Sequence, residues 1–422
     1  MSDAPHKTRT LLLAVMLHAF THIYQVALLP LYYKIQEDFH LASLGTATLL
    51  LTVFMAAYFI PSYAMGMLAD QFSRRKLLTI GLLLNGLGFV GLGLAPNYAM
   101  AVAAAILAGF GGSFFHPAAT AMIARLYPVG TGRALGFLGI GASVGFFFGP
   151  VYSGWRAEMS GWRAPVIELG LLGMAAAVVF YFFATEEAPA PHARTAPVRN
   201  RHIFPKPALW VIFFSACFAF SLRDFAGSSM GTVGSLFLQQ AHGFNMRSTG
   251  FALSTIFIAS AISNPLFGAL SDRGRIRWTC FIMMVGALMI FVFPRLPASL
   301  LVPAYVVYGF FFMASYPTTE AALMESVPDA VRGRVFGLFI TVGGMLGNLS
   351  HWIMGSWVEQ LGPEALSARS FYPIYTVLST LVLVSLSGLF CLHALRRREI
   401  QEGEKLPSHA LPETEPVAKA QI

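Results

Sequence analysis

Twelve long apolar runs dominate this sequence of 422 residues and limit what it can fold into. Each run approaches the roughly 20 residues that a helix needs to cross a bilayer. Hydrocarbon offers no water to backbone polar groups, so a spanning segment must be a helix or part of a closed barrel. The runs are continuously apolar and do not alternate, which excludes a barrel. We predict an all-α integral membrane protein whose spans 1–12 cover, in chain order, residues 10–33, 44–68, 77–95, 99–124, 134–154, 165–184, 208–230, 248–270, 278–294, 300–323, 335–358 and 371–394.

Composition supports a polytopic membrane protein. Hydrophobic residues make up 56% of the chain and charged residues only 11%, against roughly 25% charged in soluble domains. The first run lacks a small-residue cleavage site, so we expect a retained helix and not a removed signal peptide. Three cysteines, each in a predicted span, indicate neither a disulfide framework nor a metal site. We therefore expect no cofactor and no metal.

The basic charge follows the loops. Of the 28 Lys and Arg residues, 21 lie on the side of the N-terminus and the even-numbered loops, six lie on the other side, and Arg223 lies within a span. Such a bias places both termini in the cytoplasm. The formal charge of +8 is therefore explained by topology, and we expect no nucleic-acid partner. The predicted location is the cell (inner) membrane, with lipid around a chain that is a monomer by default.

A polar stretch divides the chain into two halves. Residues 185–207 are rich in Pro, Ala and Arg and read as a cytoplasmic linker. We predict an N-terminal six-helix bundle at 1–184 and a C-terminal six-helix bundle at 208–395. A polar cytoplasmic tail would follow at 396–422, with no stable structure after Arg398.

The two halves repeat each other in sequence. GMLADQFSRRK at 66–76 resembles GALSDRGRIR at 268–277, an offset of about 202. FHP at 115–117 matches SYP at 315–317, and GRALG at 132–136 matches GRVFG at 333–337. Repeats of this kind are typical of transporters, in which two halves move against each other.

The repeated loop predicts a gate. Glycines at its start allow two helices to approach closely, and each aspartate at a helix C-terminus needs a basic or helix N-terminal partner. A contact of this kind can form in one state and break in another, although a basic loop that only sets topology has the same composition. The candidate gate residues are Gly66, Asp70, Arg74, Gly268, Asp272 and Arg273.

The pattern G-x-L-x-D-x-x-x-R-R, repeated after spans 2 and 8, resembles the signature of the major facilitator superfamily. This resemblance covers residues 10–395. It implies a fold of twelve transmembrane helices in two pseudo-repeats, with spans 1, 4, 7 and 10 lining a central cavity. Alternating access would carry a small molecule across the bilayer.

Two further patterns resemble exporters in that superfamily. Span 5 resembles the antiporter motif of proton-coupled drug exporters, which in the family marks export, and its glycines would also serve ordinary helix packing; the residues are Gly136, Gly145, Gly149, Pro150 and Gly154. HAFTHIYQ at 18–25, Leu29-Pro30 and FHP at 115–117 resemble the fosmidomycin-resistance branch. That branch exports small anionic or amphiphilic antimicrobials.

Ionisable and polar residues inside spans are costly and indicate a cavity or a partner. The candidate substrate- and proton-binding residues fall on spans 1, 4, 7 and 10; they are His18, His22, Tyr24, Gln25, His116, Arg223, Asp224, Tyr316 and Glu320. His18 and His22 share a helix face and can change charge near neutral pH. Arg223 can hold a carboxylate or phosphonate. Asp224 and Glu320 are the predicted proton carriers.

Structural roles remain open for several of these residues. His116 can serve by hydrogen-bonding a neighbouring carbonyl, Arg223 and Asp224 can form a structural ion pair, and the tyrosines and Gln25 can be interhelical contacts. Counting residues from the span ends at about 1.5 Å each places Asp224 and Glu320 at different depths, roughly 15 Å apart.

The sequence contains no P-loop, GxSxG, HExxH or paired-Cys pattern, so we expect an ion-driven transporter and not an enzyme. The leading hypothesis is a proton-coupled exporter of amphiphilic or anionic small molecules. The alternatives are a proton-linked or facilitated importer of a small organic anion, and a receptor or assembly protein on a transporter fold.

Overall fold

The computed structural model of the protein describes residues 4–129, 131–185, 203–204, 206–327 and 332–404. Most of the predicted linker, and the tail beyond 404, lie outside these residues. The helices of the first half are Ala4–Val26, Tyr32–Asp38, Leu44–Phe59, Ser62–Gln71, Arg74–Leu94, Tyr98–Gly112, Phe115–Leu126, Thr131–Ser160 and Arg163–Phe183. Those of the second half are Pro207–His242, Met246–Ser271, Arg275–Val292, Ala298–Phe312, Ser315–Glu325, Arg332–Asn348, Ser350–Gln360, Tyr372–Ser385 and Ser387–Glu404.

These helices confirm the predicted all-α membrane fold. Eleven of them, counted with their short breaks, are long and apolar enough to cross a bilayer in the described residues. The remaining span, number 11, is divided at Leu349 into Arg332–Asn348 and Ser350–Gln360. The last helix runs to Glu404, so helical structure continues beyond the predicted bundle end at residue 395.

A threonine from the other half explains the break in span 11. The Thr52 hydroxyl of span 2 donates to the Asn348 carbonyl at 3.2 Å and accepts from the Trp352 N–H at 3.1 Å. These two groups would otherwise bond each other within the helix. An inserted side chain is a recognised cause of helix breaks. The same hydroxyl therefore bends span 11 and ties it to the first half.

Several contacts join the two halves at the end of the molecule away from the termini, here called the far side. Ser43 donates to Glu359 at 2.5 Å, and Ser235 donates to the Leu29 carbonyl at 2.6 Å. A Cβ at Gly250 of span 8 would lie 2.9 Å from the backbone carbon of Pro150 in span 5. Contact this close is possible only for glycine, so the halves are packed backbone to backbone there.

Spans 5 and 8 separate toward the side of the termini. A Cβ added at Gly136 or Gly139 of span 5, or at Gly268 of span 8, would meet no atom within 4 Å. The two helices thus form a wedge that is closed at the far side.

This geometry predicts opposite results for two substitutions on one helix. Gly250→Val should force spans 5 and 8 apart at the far side, because the new side chain meets backbone. Overpacking costs about 1–3 kcal/mol, which corresponds to roughly a 5- to 150-fold gain in exposure. The measurement is the rate of maleimide labelling of Ser235→Cys in detergent, in a background without the three native cysteines. Gly268→Val, placed in open space, should label at the parent rate; equal rates in both variants would contradict the wedge.

Candidate functional site

The glycines of span 5 bring the backbone of span 1 close to it. A Cβ at Gly141 would lie 2.7 Å from the Cβ of His18, one at Gly145 3.0 Å from the Cβ of His22, and one at Gly149 2.8 Å from Val26. Such approach is the usual purpose of small residues between membrane helices. Two glycines of the predicted antiporter motif, Gly145 and Gly149, therefore seat the helix that carries the histidines.

Three histidines meet where spans 1, 4 and 5 pack together. His18 Nε2 lies 3.0 Å from His22 Nε2. His18 Nδ1 donates to the Leu138 carbonyl of span 5 at 2.7 Å, and His22 Nδ1 lies 2.8 Å from Gln25 Oε1. One nitrogen from each of His18, His22 and His116 falls within a group no wider than 4.8 Å. His18 and His22, predicted to share a helix face, thus form one cluster with His116 of span 4.

Matching breaks in spans 4 and 10 place His116 and Tyr316 at equivalent positions. Span 4 restarts as a helix at Phe115 and span 10 at Ser315, so each residue is the second of a new helix. Proline follows both, in the first helical turn, where its missing N–H costs least. His116 is exposed, whereas His18 and His22 are buried. The sequence repeat at offset 200 is therefore also a repeat of local geometry.

A buried ion pair forms the core of the second-half site. The Arg223 guanidinium is 1% exposed and lies 2.7 Å from Asp224 Oδ1. It also donates to the Ser315 carbonyl at 3.2 Å and to the Thr319 hydroxyl. Its central carbon lies 4.2 Å from the centre of the Tyr316 ring, a cation–π contact. Every face of this cation is thus covered by protein groups, and Arg223 and Asp224 form the ion pair that the sequence left open.

The predicted depth difference between Asp224 and Glu320 is wrong. Arg223, the neighbour of Asp224 in the chain, donates a hydrogen bond to Thr319, the neighbour of Glu320. Glu320 also interacts electrostatically with both Arg223 and Asp224. The helix Pro207–His242 has 36 residues and is roughly 54 Å long, well beyond the bilayer core of about 30 Å. Part of this helix therefore lies outside the hydrocarbon, and counting residues from a predicted span end misjudges depth.

Tyr24 lies away from the histidine cluster. Its side chain is fully buried, and its hydroxyl donates to the Leu169 carbonyl of span 6 at 3.0 Å. Gln25, in contrast, touches the cluster through His22. Of these two predicted site residues, only Gln25 belongs to the cluster in this structure, and Tyr24 is an interhelical contact.

The remaining glycines of the span 5 motif have other surroundings. Gly154 lies at the far side, where its Cβ would be 3.3 Å from the Cα of Gly250. Pro150 lies inside the helix Thr131–Ser160 and against Gly250. Gly136 faces open space. This part of the motif therefore shapes the contact with span 8.

The second copy of the predicted gate forms an ion-pair network within its own half. Asp272 pairs with Arg275 at 2.9 Å, and Arg275 pairs with Glu325 of span 10 at 2.6 Å. Arg273, the basic residue predicted for this gate, is exposed. The tight turn after span 8 instead brings Arg275 to Asp272. The expected close helix contact at Gly268 is wrong in this conformation, since open space surrounds it.

The first copy is described only in part. Arg74 donates from Nε to the Ala69 carbonyl at 3.1 Å. A Cβ at Gly66 would be 3.7 Å from Pro117 of span 4, an ordinary contact. The Asp70 backbone lies in the last turn of the helix Ser62–Gln71, and its side chain lies outside the described part of the chain. The predicted latch at Asp70 and Arg74 stays a prediction.

Sequence reasoning missed the uncharged partners of the site. Thr319, the Ser315 carbonyl and the Leu138 carbonyl each bond a candidate residue. The adjacent threonines at 318 and 319, buried in an apolar span, were a usable signal for Thr319. Carbonyl partners give no such signal, because every residue has one.

A membrane protein with two helical halves, and with polar side chains clustered between spans 1 and 4 and between spans 7 and 10, has the architecture of a transporter. Residues 11–350 match the family model of the Major Facilitator Superfamily. The chain belongs to this superfamily, whose members are transporters and not enzymes. The family predicted from the repeated loop is thereby confirmed.

The proteins similar to this chain are named for different substrates. Multidrug resistance protein 1 of Bacillus subtilis (strain 168) is 25% identical over 350 residues, which cover 81% of this chain and 87% of that protein. The cis,cis-muconate transport protein of Acinetobacter baylyi is 23% identical over 323 residues, covering 74% of this chain and 78% of that protein.

The fold is also that of a solved transporter structure. A bacterial homolog of the human lysosomal transporter Spinster, in an inward-facing and unoccupied conformation, aligns with a TM-score of 0.77. The alignment covers 95% of this chain and 99% of that chain at 15% identity. This likeness confirms the two-bundle fold of twelve spans.

The buried ion pair predicts a characteristic pattern of stability. Asp224→Ala should lower stability strongly, because removing one partner of a buried pair costs about 3–5 kcal/mol. The double variant Arg223→Leu/Asp224→Ala should recover most of that loss, since no unpaired charge remains. The measurement is the thermal unfolding midpoint in detergent. The control is Asp272→Ala, which should change the unfolding midpoint little, because the Asp272 carboxylate is 70% exposed in its ion pair. A double variant less stable than Asp224→Ala would contradict this interpretation.

Proposed function

We propose that the protein is a proton-coupled exporter of amphiphilic or anionic small molecules that works by alternating access. The bundles predicted at 1–184 and 208–395 are the moving units, in a cell inner membrane with both termini and the linker in the cytoplasm. The single observation that carries the proposal is the group formed by Arg223, Asp224 and Glu320 at the broken span 10. Buried ionisable groups are expensive in a membrane, and they mark substrate and proton pathways.

Closure at the far side supports the same mechanism. Contacts between glycines of spans 5 and 8 and hydrogen bonds such as Ser43 to Glu359 hold the halves together there. Spans 5 and 8 diverge at the side of the termini, where a cargo would enter from the cytoplasm. Alternating access then requires the far-side contacts to break as contacts at the other side form.

Glu320 supports proton exchange. It is half-buried on the helix that begins with Ser315 and interacts electrostatically with Arg223 and Asp224. A cargo that displaces the Glu320 proton on binding would couple export to proton entry. The resemblance to multidrug exporters, with Multidrug resistance protein 1 of B. subtilis among the relatives, supports efflux and a role in antibiotic resistance.

The Arg223–Asp224 contact also favours a second candidate, a proton-linked importer of a small organic anion. Protonation of Asp224 would remove its charge from the guanidinium and free Arg223 for an anionic cargo. Proton and anion would then bind together, which is the logic of symport. A relative named for muconate transport supports anionic cargo. The direction of counterflow in proteoliposomes distinguishes the two candidates.

Removal of either carboxylate should stop coupled transport. In energised vesicles, efflux of an amphiphilic dye or antimicrobial should disappear with a protonophore. Asp224→Asn and Glu320→Gln should each reduce the initial rate at least tenfold, because neither amide can carry the proton. The matched control is Glu158→Gln, which removes an exposed carboxylate and should transport normally. Normal proton-driven exchange in both site variants would exclude these residues as proton carriers.

A further inference from the structure

The two buried histidines, His18 and His22, face each other through their Nε2 atoms. The Leu138 carbonyl can only accept, so His18 carries a proton on Nδ1 and donates it. Gln25 Oε1 likewise accepts from His22 Nδ1. A neutral imidazole that donates through Nδ1 presents a lone pair at Nε2. Two such lone pairs lie 3.0 Å apart, and they repel each other unless a cation lies between them.

A third nitrogen favours a metal over a shared proton. A proton needs only two nitrogens, yet the nitrogen of His116 joins the same group within 4.8 Å. In a tetrahedral zinc site with Zn–N of 2.0–2.1 Å, ligand nitrogens lie about 3.3 Å apart. The His18–His22 separation is already close to that value. The exposed ring of His116 needs only to turn inward to complete three ligands.

The hydrogen bonds behind the rings have the arrangement of a metal site. A histidine that ligates a metal almost always donates its other N–H to a carbonyl or carboxylate, which fixes the ring and its tautomer. His18 and His22 each donate in this way, one to a backbone carbonyl and one to an amide oxygen. The ligand face of both rings is thus oriented before any ion binds.

Ligand chemistry and access define the class of ion. Three neutral imidazoles suit borderline cations such as Zn²⁺, Co²⁺ and Ni²⁺, whereas Mg²⁺ prefers oxygen. His18 and His22 are 6% and 8% exposed, but His116 is exposed and provides a route to the site. Three protein ligands leave a fourth position for water or an anion, as in open zinc sites.

We propose that His18, His22 and His116 form a site for one divalent borderline transition-metal ion between spans 1 and 4, held in place by span 5. The site goes beyond the proposed transport function and does not rest on it. The i, i+4 spacing of the first two histidines suits metal ligands, but only the tertiary structure places the third beside them.

Tag-free, full-length protein treated with a chelator provides the test, with Co²⁺ alone as the probe. We expect one Co²⁺ per chain, visible-region absorption of a tetrahedral ion, and no competition from Mg²⁺. Zn²⁺ should displace the Co²⁺ signal and raise the unfolding temperature. The measurement is made in detergent without a gradient, so failed transport and failed metal binding are separate results.

Variants connect the binding to the cluster. His116→Ala and His22→Gln should weaken Co²⁺ binding at least a hundredfold, and Gln25→Ala by about 10–100-fold, as for other groups behind a ligand. The control is His351→Gln in the second half. His351 is also a buried histidine, bonded to Thr232 at 2.6 Å and Asn348 at 3.1 Å, and its loss should leave Co²⁺ binding unchanged.

Three results would overturn the site. They are no Co²⁺ binding by the wild type at pH 8, binding that persists in both His116→Ala and His22→Gln, and equal loss in His351→Gln. If His22→Gln does not elute as a folded protein in gel filtration, His116→Ala decides the question alone, because His116 is exposed and its truncation removes no buried side chain.

Discussion

The structure depends on the cost of leaving a backbone N–H or C=O unpaired in hydrocarbon, which amounts to several kcal/mol for each group. That cost makes every span helical and restricts breaks to places where protein supplies a partner. The break in span 11 is filled by the Thr52 hydroxyl, which satisfies both groups that the helix leaves open. The break in span 11 therefore lies at a contact between the halves. The breaks in spans 4 and 10 lie beside the polar side chains that these spans present inward.

Close packing by glycine is the second element of the architecture. Gly141, Gly145 and Gly149 bring spans 5 and 1 together, so that a carbonyl of span 5 reaches His18. The same helix meets span 8 through Gly154 at the far side. One run of small residues thus serves both the histidine cluster and the closure of the molecule. A change in the angle between spans 5 and 8 would therefore displace both the histidine cluster and the far-side contact. This offers a physical route for coupling between the site and the gate.

The sequence predicted the spans, the repeat and the family correctly, because hydropathy and turn chemistry are local. It also named the residues that form both clusters, since charges within apolar runs stand out. It failed where several helices had to be placed together. The depth of Asp224 was misjudged because the helix of span 7 is longer than the hydrocarbon is thick. Arg273 was predicted for the gate, whereas Arg275 pairs with Asp272, because the pairing depends on how the chain turns after span 8. Tyr24 was placed in the site although its hydroxyl contacts span 6.

Apolar length, the internal repeat and ionisable residues within apolar runs, read along the chain, determined that this protein crosses the membrane in two related halves. They also placed the candidate site residues on spans 1, 4, 7 and 10. The tertiary structure alone decided that Arg223 is bound by Asp224 and Thr319, and that three histidines from two helices converge. The reason is that hydrogen bonds and ion pairs act over about 3 Å. Their partners are fixed by helix rotation, tilt and depth, and these are set by contacts between residues far apart in the chain.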